Sequence, residues 1–152
     1  MKLRTIALLS LFCFFALTVT LAQTGNMGTW KLNEAKSSIP AGMGKTATVV
    51  YATDGDKIKI TGDGVDAQGK PTHTEWTGKF DAKPYPLSGD SGVTYRAYKL
   101  KNDRLLLVAN MLGDKTVSNG KIELAKDGKS RTVSMTYFEK KKVRAKYVYE
   151  KQ

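Results

Sequence analysis

His73 is the one histidine in the chain, and it stands two residues before Glu75. In an extended segment that spacing puts both side chains on one face, where an imidazole and a carboxylate form a base and its orienting group. A general base also needs a nucleophile or a substrate proton within reach, and no neighbouring residue supplies one. None of the serines sits on a strained, glycine-flanked nucleophile elbow. A solvated cross-strand pair is therefore the expected role of His73 and Glu75, and no catalysis is expected. Metal chemistry is equally poorly provided. Cys13 is the sole cysteine and falls in an apolar leader, so the mature chain cannot build a zinc or copper site of the usual His/Cys composition. Asp54, Asp56, Asp63, Asp66, Asp103, Asp114 and Asp127 fall in turns, where a carboxylate bonds its own backbone. Asp54-Gly55-Asp56 and Asp63-Gly64-Val65-Asp66 lack the spaced ligands and terminal Glu of a calcium loop. No cofactor is expected.

The aromatic residues offer a different chemistry. Trp76, Phe80, Tyr95, Tyr137, Tyr147 and Tyr149 alternate with polar neighbours, which predicts a shared interior. That interior is either a filled core or a pocket whose apolar walls carry a few phenolic hydroxyls. Tyrosine at three late positions favours the pocket slightly, because a buried hydroxyl needs a partner. Trp76, Phe80, Tyr95, Tyr137 and Tyr147 are the candidate ligand-lining residues. Leu105 to Val108 is apolar on both alternations, so its inward face stays open and an outer apolar patch is one reading of it.

Charge supplies the third candidate. The formal net charge is +11, falling to +9 if Lys2 and Arg4 leave with a leader. Such an excess favours contact with anionic surfaces, or serves solubility alone. Lys126, Lys129, Arg131, Lys140, Lys141 and Lys142 gather at the last two turns and form the candidate basic surface.

The elements that position these residues are strands. Residues 1–22 read as a signal peptide, with Lys2 and Arg4 before an apolar run and Thr20-Leu21-Ala22 at the cleavage position. Export to the periplasm or beyond the cell is expected, and an exported chain makes nucleic acid an improbable partner. No transmembrane segment is expected after cleavage. Residues 23–152 then form a single domain. Gly28-Thr29-Trp30-Lys31-Leu32-Asn33 reads as a short opening strand, with Asn33 capping one helical turn that has Glu34 in its first turn and is ended by Pro40. From Thr46 the period is two, broken by turn signals such as Asp54-Gly55 and Asp127-Gly128. Pro84-Tyr85-Pro86-Leu87-Ser88-Gly89-Asp90 is the longest irregular stretch, where two prolines predict a loop or a strand edge. An all-β, antiparallel up-and-down meander of about eight to nine strands results, and closure into a barrel removes both exposed edges. A Greek-key sandwich needs longer crossovers, for which only residues 82–92 leave room.

Gly28-Thr29-Trp30 opening a meander resembles the G-x-W signature on the first strand of lipocalins. In that family a basic residue of the last strand covers the tryptophan, and Arg144 is the matching position. The resemblance thus implies a lipocalin-like (calycin-type) barrel with Trp30 sealing one end and Arg144 lying over it. The C-terminal helix, the disulfide and a second motif in the middle turns are missing. Gly28–Asn33, Lys36-Ser37 and Phe80-Asp81-Ala82-Lys83-Pro84-Tyr85-Pro86 are more closely similar to a family of small exported bacterial proteins of unassigned function, generally regarded as lipocalin-like. The expected function is non-catalytic binding of a small apolar or amphipathic molecule by a monomer. The alternative is an envelope-associated protein that binds anionic polymers or lipid through its basic surface.

Overall fold

Asp54-Gly55 sets the pattern for the whole chain. Gly55 adopts φ 59°, a left-handed conformation that costs a glycine little, and the chain reverses there between two strands. Gly69, Gly113 and Gly128 serve later reversals in the same way, and the chain forms ten strands: β1 (Gly28–Leu32), β2 (Lys45–Asp54), β3 (Lys57–Val65), β4 (Pro71–Gly78), β5 (Asp81–Ser88), β6 (Tyr95–Asn102), β7 (Leu105–Leu112), β8 (Lys115–Leu124), β9 (Ser130–Phe138) and β10 (Lys142–Lys151). The computed structural model describes residues 25–90, 92–138 and 141–152. The expected signal peptide over 1–22 and Lys140 lie outside the described residues.

Each strand pairs antiparallel with its sequence neighbours, and β1 pairs with both β2 and β10, so the sheet closes into an up-and-down barrel. One strand more than expected is present. It is β5, which runs through Pro84 and Pro86 in the stretch read as irregular. The prolines show in the pairing: β5 meets β4 only through Glu75↔Ser88 and Trp76↔Leu87, whereas four residue pairs join it to β6. A residue without an N–H cannot support a full ladder, and the barrel wall is sparsely bonded there. Aromatic packing covers this seam from inside. The Trp76 ring lies 4.8 Å from Tyr98, 5.7 Å from Tyr85 and 6.3 Å from Phe80, centroid to centroid.

The opening motif closes the other seam. β1 is short, and the chain beyond it continues along β10: Asn33 N–H donates to Val148 O at 2.8 Å, and Ser38 pairs with Lys146. The Ser37 hydroxyl donates to Asn33 O at 2.7 Å and accepts from Val148 N–H at 2.9 Å. Asn33 caps the 3-10 turn Glu34–Lys36, and its side-chain amide and the Lys36 ammonium both reach Glu150. Asn33, Lys36 and Ser37 thus tie the first strand to the last.

Strand alternation sorts the side chains. Ile58 and Ile60, Trp76, Leu106 and Val108, Ile122, and Ala145 with Tyr147 and Tyr149 point inward and are buried. Each fully buried apolar side chain of this size contributes about 1.5–3 kcal/mol, so this face carries most of the stability. The two-sided apolar strand resolves here: Leu106 and Val108 face in, while Leu107 is 36% exposed on the outer wall.

Candidate ligand-binding cavity

The two ends of the barrel differ. One end is filled. Trp30 is fully buried there, and its indole N–H donates to Asn26 O at 2.9 Å. Arg131, the first inward residue of β9, lies over it with the guanidinium 4.5 Å from the Trp30 ring, 4.5 Å from Tyr51 and 5.3 Å from Tyr149. Arg144 does not take this place. It belongs to the outward alternation of β10 and is exposed, so the residue that covers Trp30 comes from the penultimate strand. Arg131 in turn is not part of a basic surface, being only 2% exposed. Burying a guanidinium costs several kcal/mol, and three desolvated aromatic faces at about 2 kcal/mol each offset most of it.

Toward the other end the barrel is hollow. A cavity of about 720 Å³ runs from Arg131 and Tyr149 up to the mouth, which is formed by residues 43–46, Val65 and Asp66, Gly89 and Asp90, Gly92 and Val93, Leu112 and Phe138. Val49, Val108, Val133 and Met135 supply apolar wall. Small inward residues, Gly62 and Thr74 among them, leave the space that larger ones would fill. A cavity of this size and mixed lining suits a small organic molecule.

Polar groups form one band across the wall. Arg96, Asn110, Ser118 and Tyr137 stand directly opposite one another on β6, β7, β8 and β9. Arg96 Nε donates to Asn110 Oδ1 at 2.6 Å, and Asn110 Nδ2 donates to Ser118 Oγ at 2.8 Å. The Tyr137 and Tyr147 hydroxyls lie 3.0 Å apart, and the Tyr149 hydroxyl donates to Thr46 O at 2.9 Å. Burial pushes the phenols of Tyr51 and Tyr147 well up and that of Tyr149 up to about 12, so all three are neutral donors at neutral pH. Burial pulls the Arg96 pKa down, but the Tyr98 and Tyr51 phenols and Asp90 outweigh it and the guanidinium stays charged.

The candidate aromatics divide. Tyr137 and Tyr147 line the cavity. Trp76 and Phe80 point inward but pack behind Tyr98 at the β4–β5 seam, so neither forms cavity wall. Tyr95 faces outward and is 41% exposed, because Arg96 and Tyr98 take the inward alternation of β6. Arg96, Tyr98, Asn110 and Ser118 are the residues that sequence reading missed. Their only signal is register: an Arg, an Asn and a Ser recur at directly opposed positions once the hairpins are aligned.

His73 and Glu75 occupy the outer face of β4. The imidazole Nδ1 is 2.6 Å from Asp63 and Nε2 is 3.3 Å from Glu75; His73 and Asp63 are exposed and Glu75 is half-buried. Asp63 first and Glu75 second raise the His73 pKa above its ordinary 6.5. This is a solvated cross-strand group on the outer face of the barrel wall, whose inner face carries the cavity-lining Thr72 and Thr74. Among the described residues no group of three or more His, Cys, Asp or Glu is placed to hold a metal.

The basic candidates do not form one patch. Lys126 and Lys129 sit in the β8–β9 turn at the filled end, beside the C-terminus, where Lys151 N–H donates to Lys129 O. Lys141 and Lys142 sit at the β9–β10 turn at the mouth. Successive turns of an up-and-down barrel fall at opposite ends, so closeness in sequence separates these charges by the length of a strand. The outer wall also carries a more open trough of about 940 Å³ between Ala97, Leu107, Ala109 and Arg144.

No protein-family model matches the chain, and no curated protein matches it. Among solved structures, one titled "Structure of EF1p2_mFAP2b bound to DFHBI" is similar at 11% identity and a TM-score of 0.48, covering 86% of this chain and 97% of that one. Nothing about a ligand is carried over from a likeness at this level.

Proposed function

We propose that this chain is an exported, lipocalin-like barrel that takes up one small apolar or amphipathic molecule in its interior and does no chemistry on it. The observation that carries the reading is the hollow half of the barrel, about 720 Å³ of space whose mixed lining includes apolar wall and a hydrogen-bonded polar band. A stable all-β domain gains nothing from unfilled volume, since each missing contact costs dispersion energy. The leader over 1–22 supports export, to the periplasm or beyond the cell. The one histidine, His73, lies on the outer face of β4 and not among the cavity-lining residues, which supports the non-catalytic reading.

Titration with a neutral, environment-sensitive apolar dye tests the reading. Saturable enhancement with the wild-type chain, lost in the cavity-filling variant Val133→Trp, is the expected result. Enhancement that survives the filling variant puts the dye in the outer trough and removes the basis of the proposal. The envelope-interaction alternative has less support, because Lys126 and Lys129 are divided from Lys141 and Lys142 and Arg131 is withdrawn into the core.

A further inference from the structure

Two guanidinium groups face the same enclosed space with no carboxylate set against either. Among the described residues no Asp or Glu lies within ion-pair distance of Arg96 or Arg131; every ion pair of the barrel is formed on its exterior. Asp90, on the exposed mouth loop, is felt by Arg96 but does not bond it. Arg131 is compensated by aromatic faces, yet its Nε and Nη1 have no hydrogen-bond partner. Arg96 is held differently. Its Nε is spent on Asn110, which Ser118 fixes in turn, and this aims the rest of the fork from the wall. Arg96 is enclosed by the barrel and half-buried, and the exposure it keeps is to the cavity. The phenols of Tyr51, Tyr98 and Tyr137 stand around it, and a phenol oxygen can accept from a guanidinium but brings no counter-charge. Above this band Met43, Val65, Val93, Leu112 and Phe138 give the mouth an apolar part, Leu112 being 47% exposed, with Lys45, Asp66, Asp90 and Lys115 set between them.

Given the cavity-binding reading above, on which this rests, we infer that the ligand is an amphipathic carboxylate that enters head first, its acid group on Arg96 and its apolar chain in the mouth. A planar guanidinium with one nitrogen already anchored presents its remaining N–H groups as a fork that matches a carboxylate. Arg131, at the cavity floor, adds positive potential in a low-dielectric space. A neutral apolar guest leaves Arg96 without a counter-charge, and a cationic one is repelled.

Isothermal titration calorimetry of the whole chain with hexadecanoate and with the chain-matched primary alcohol tests the inference. The acid is expected to bind on the order of tenfold tighter or more, the scale of one charge-assisted hydrogen-bonded contact. Arg96→Met is expected to abolish that preference, while the outer-face Arg144→Gln keeps it. Folding of both variants is followed by circular dichroism, and the wild-type comparison stands without them. Equal binding of acid and alcohol overturns the carboxylate inference and leaves the cavity reading intact. A preference that Arg96→Met retains, or that Arg144→Gln removes, assigns it to surface charge and also overturns the inference. Binding of neither overturns the cavity reading itself.

Discussion

The guanidinium of Arg131 lies 4.5 Å from the centre of the Trp30 ring, and the two residues come from the second-last and the first strand of a closed barrel. This contact fills one end of the molecule and leaves the other hollow. The proposed ligand binding rests on that asymmetry.

Loss of Trp30 should therefore be far more costly than loss of Arg144. Trp30→Ala removes a fully buried indole, and about 3–5 kcal/mol of unfolding free energy is expected to go with it. Arg144→Ala, on the exposed face of β10, should stay within about 0.5 kcal/mol of wild type. Urea denaturation of both variants checks the pair. A large effect at Arg144 would restore it as the residue that supports the closed end.

Gly89 adopts φ 83°, and a Cβ there would stand 1.8 Å from the His73 carbonyl oxygen. Gly55, at φ 59°, has open space where its Cβ would go. Gly55→Ala should cost about 1 kcal/mol, the left-handed penalty alone. Gly89→Ala adds a backbone clash and should cost clearly more. Melting temperatures of the two variants decide the matter, and equal losses would mean that the mouth loop is not held against β4.

Alkaline titration should separate the tyrosines. A folded-state phenol pKa raised by burial contributes stability that is complete below the unfolded value of about 10 and is lost as pH rises through the folded value. Tyr149 reaches about 12, with Tyr51 and Tyr147 higher. Stability should thus fall between about pH 10 and 12, with the buried phenolates appearing only on unfolding. Phenolate absorbance followed beside circular dichroism tests this, and early titration of every tyrosine would contradict it.

His73 offers a control on the outer surface. Asp63→Asn should lower its pKa back toward 6.5, measured by proton NMR. Because the raised pKa favours the folded protonated form, any stability it brings is present at low pH and lost as pH rises through the folded value. The exposure of both groups keeps that contribution small. His73→Gln should leave ligand binding unchanged, whereas reduced binding would bring the His73–Glu75 pair back into the site.

The barrel was legible in the sequence because turns announce themselves locally. Asp54-Gly55 and Asp127-Gly128 punctuate strands whose alternation is plain, and Asn33 caps a turn for reasons contained in a few residues. β5 was hidden because Pro84 and Pro86 argue against a ladder, and only the partnership with β6 and the aromatic cluster over the seam make a strand of it. The phase of β6 was illegible for another reason. Tyr95-Ala97-Lys99 and Arg96-Tyr98-Leu100 are equally plausible inner faces until β7 fixes the register through Arg96↔Asn110 and Tyr98↔Val108. Arg131 misled because a charged residue beside a turn is ordinarily solvated. Its burial depends on three rings brought together by tertiary structure from β1, β2 and β10.

Native mass spectrometry of the chain purified from its own envelope, followed by organic extraction, tests the central claim most directly. The cavity account predicts a bound fraction heavier than the bare chain by one small molecule, recovered in the organic phase and absent from the Val133→Trp variant. A bare mass alone, or an adduct that the filled variant carries equally, would contradict it.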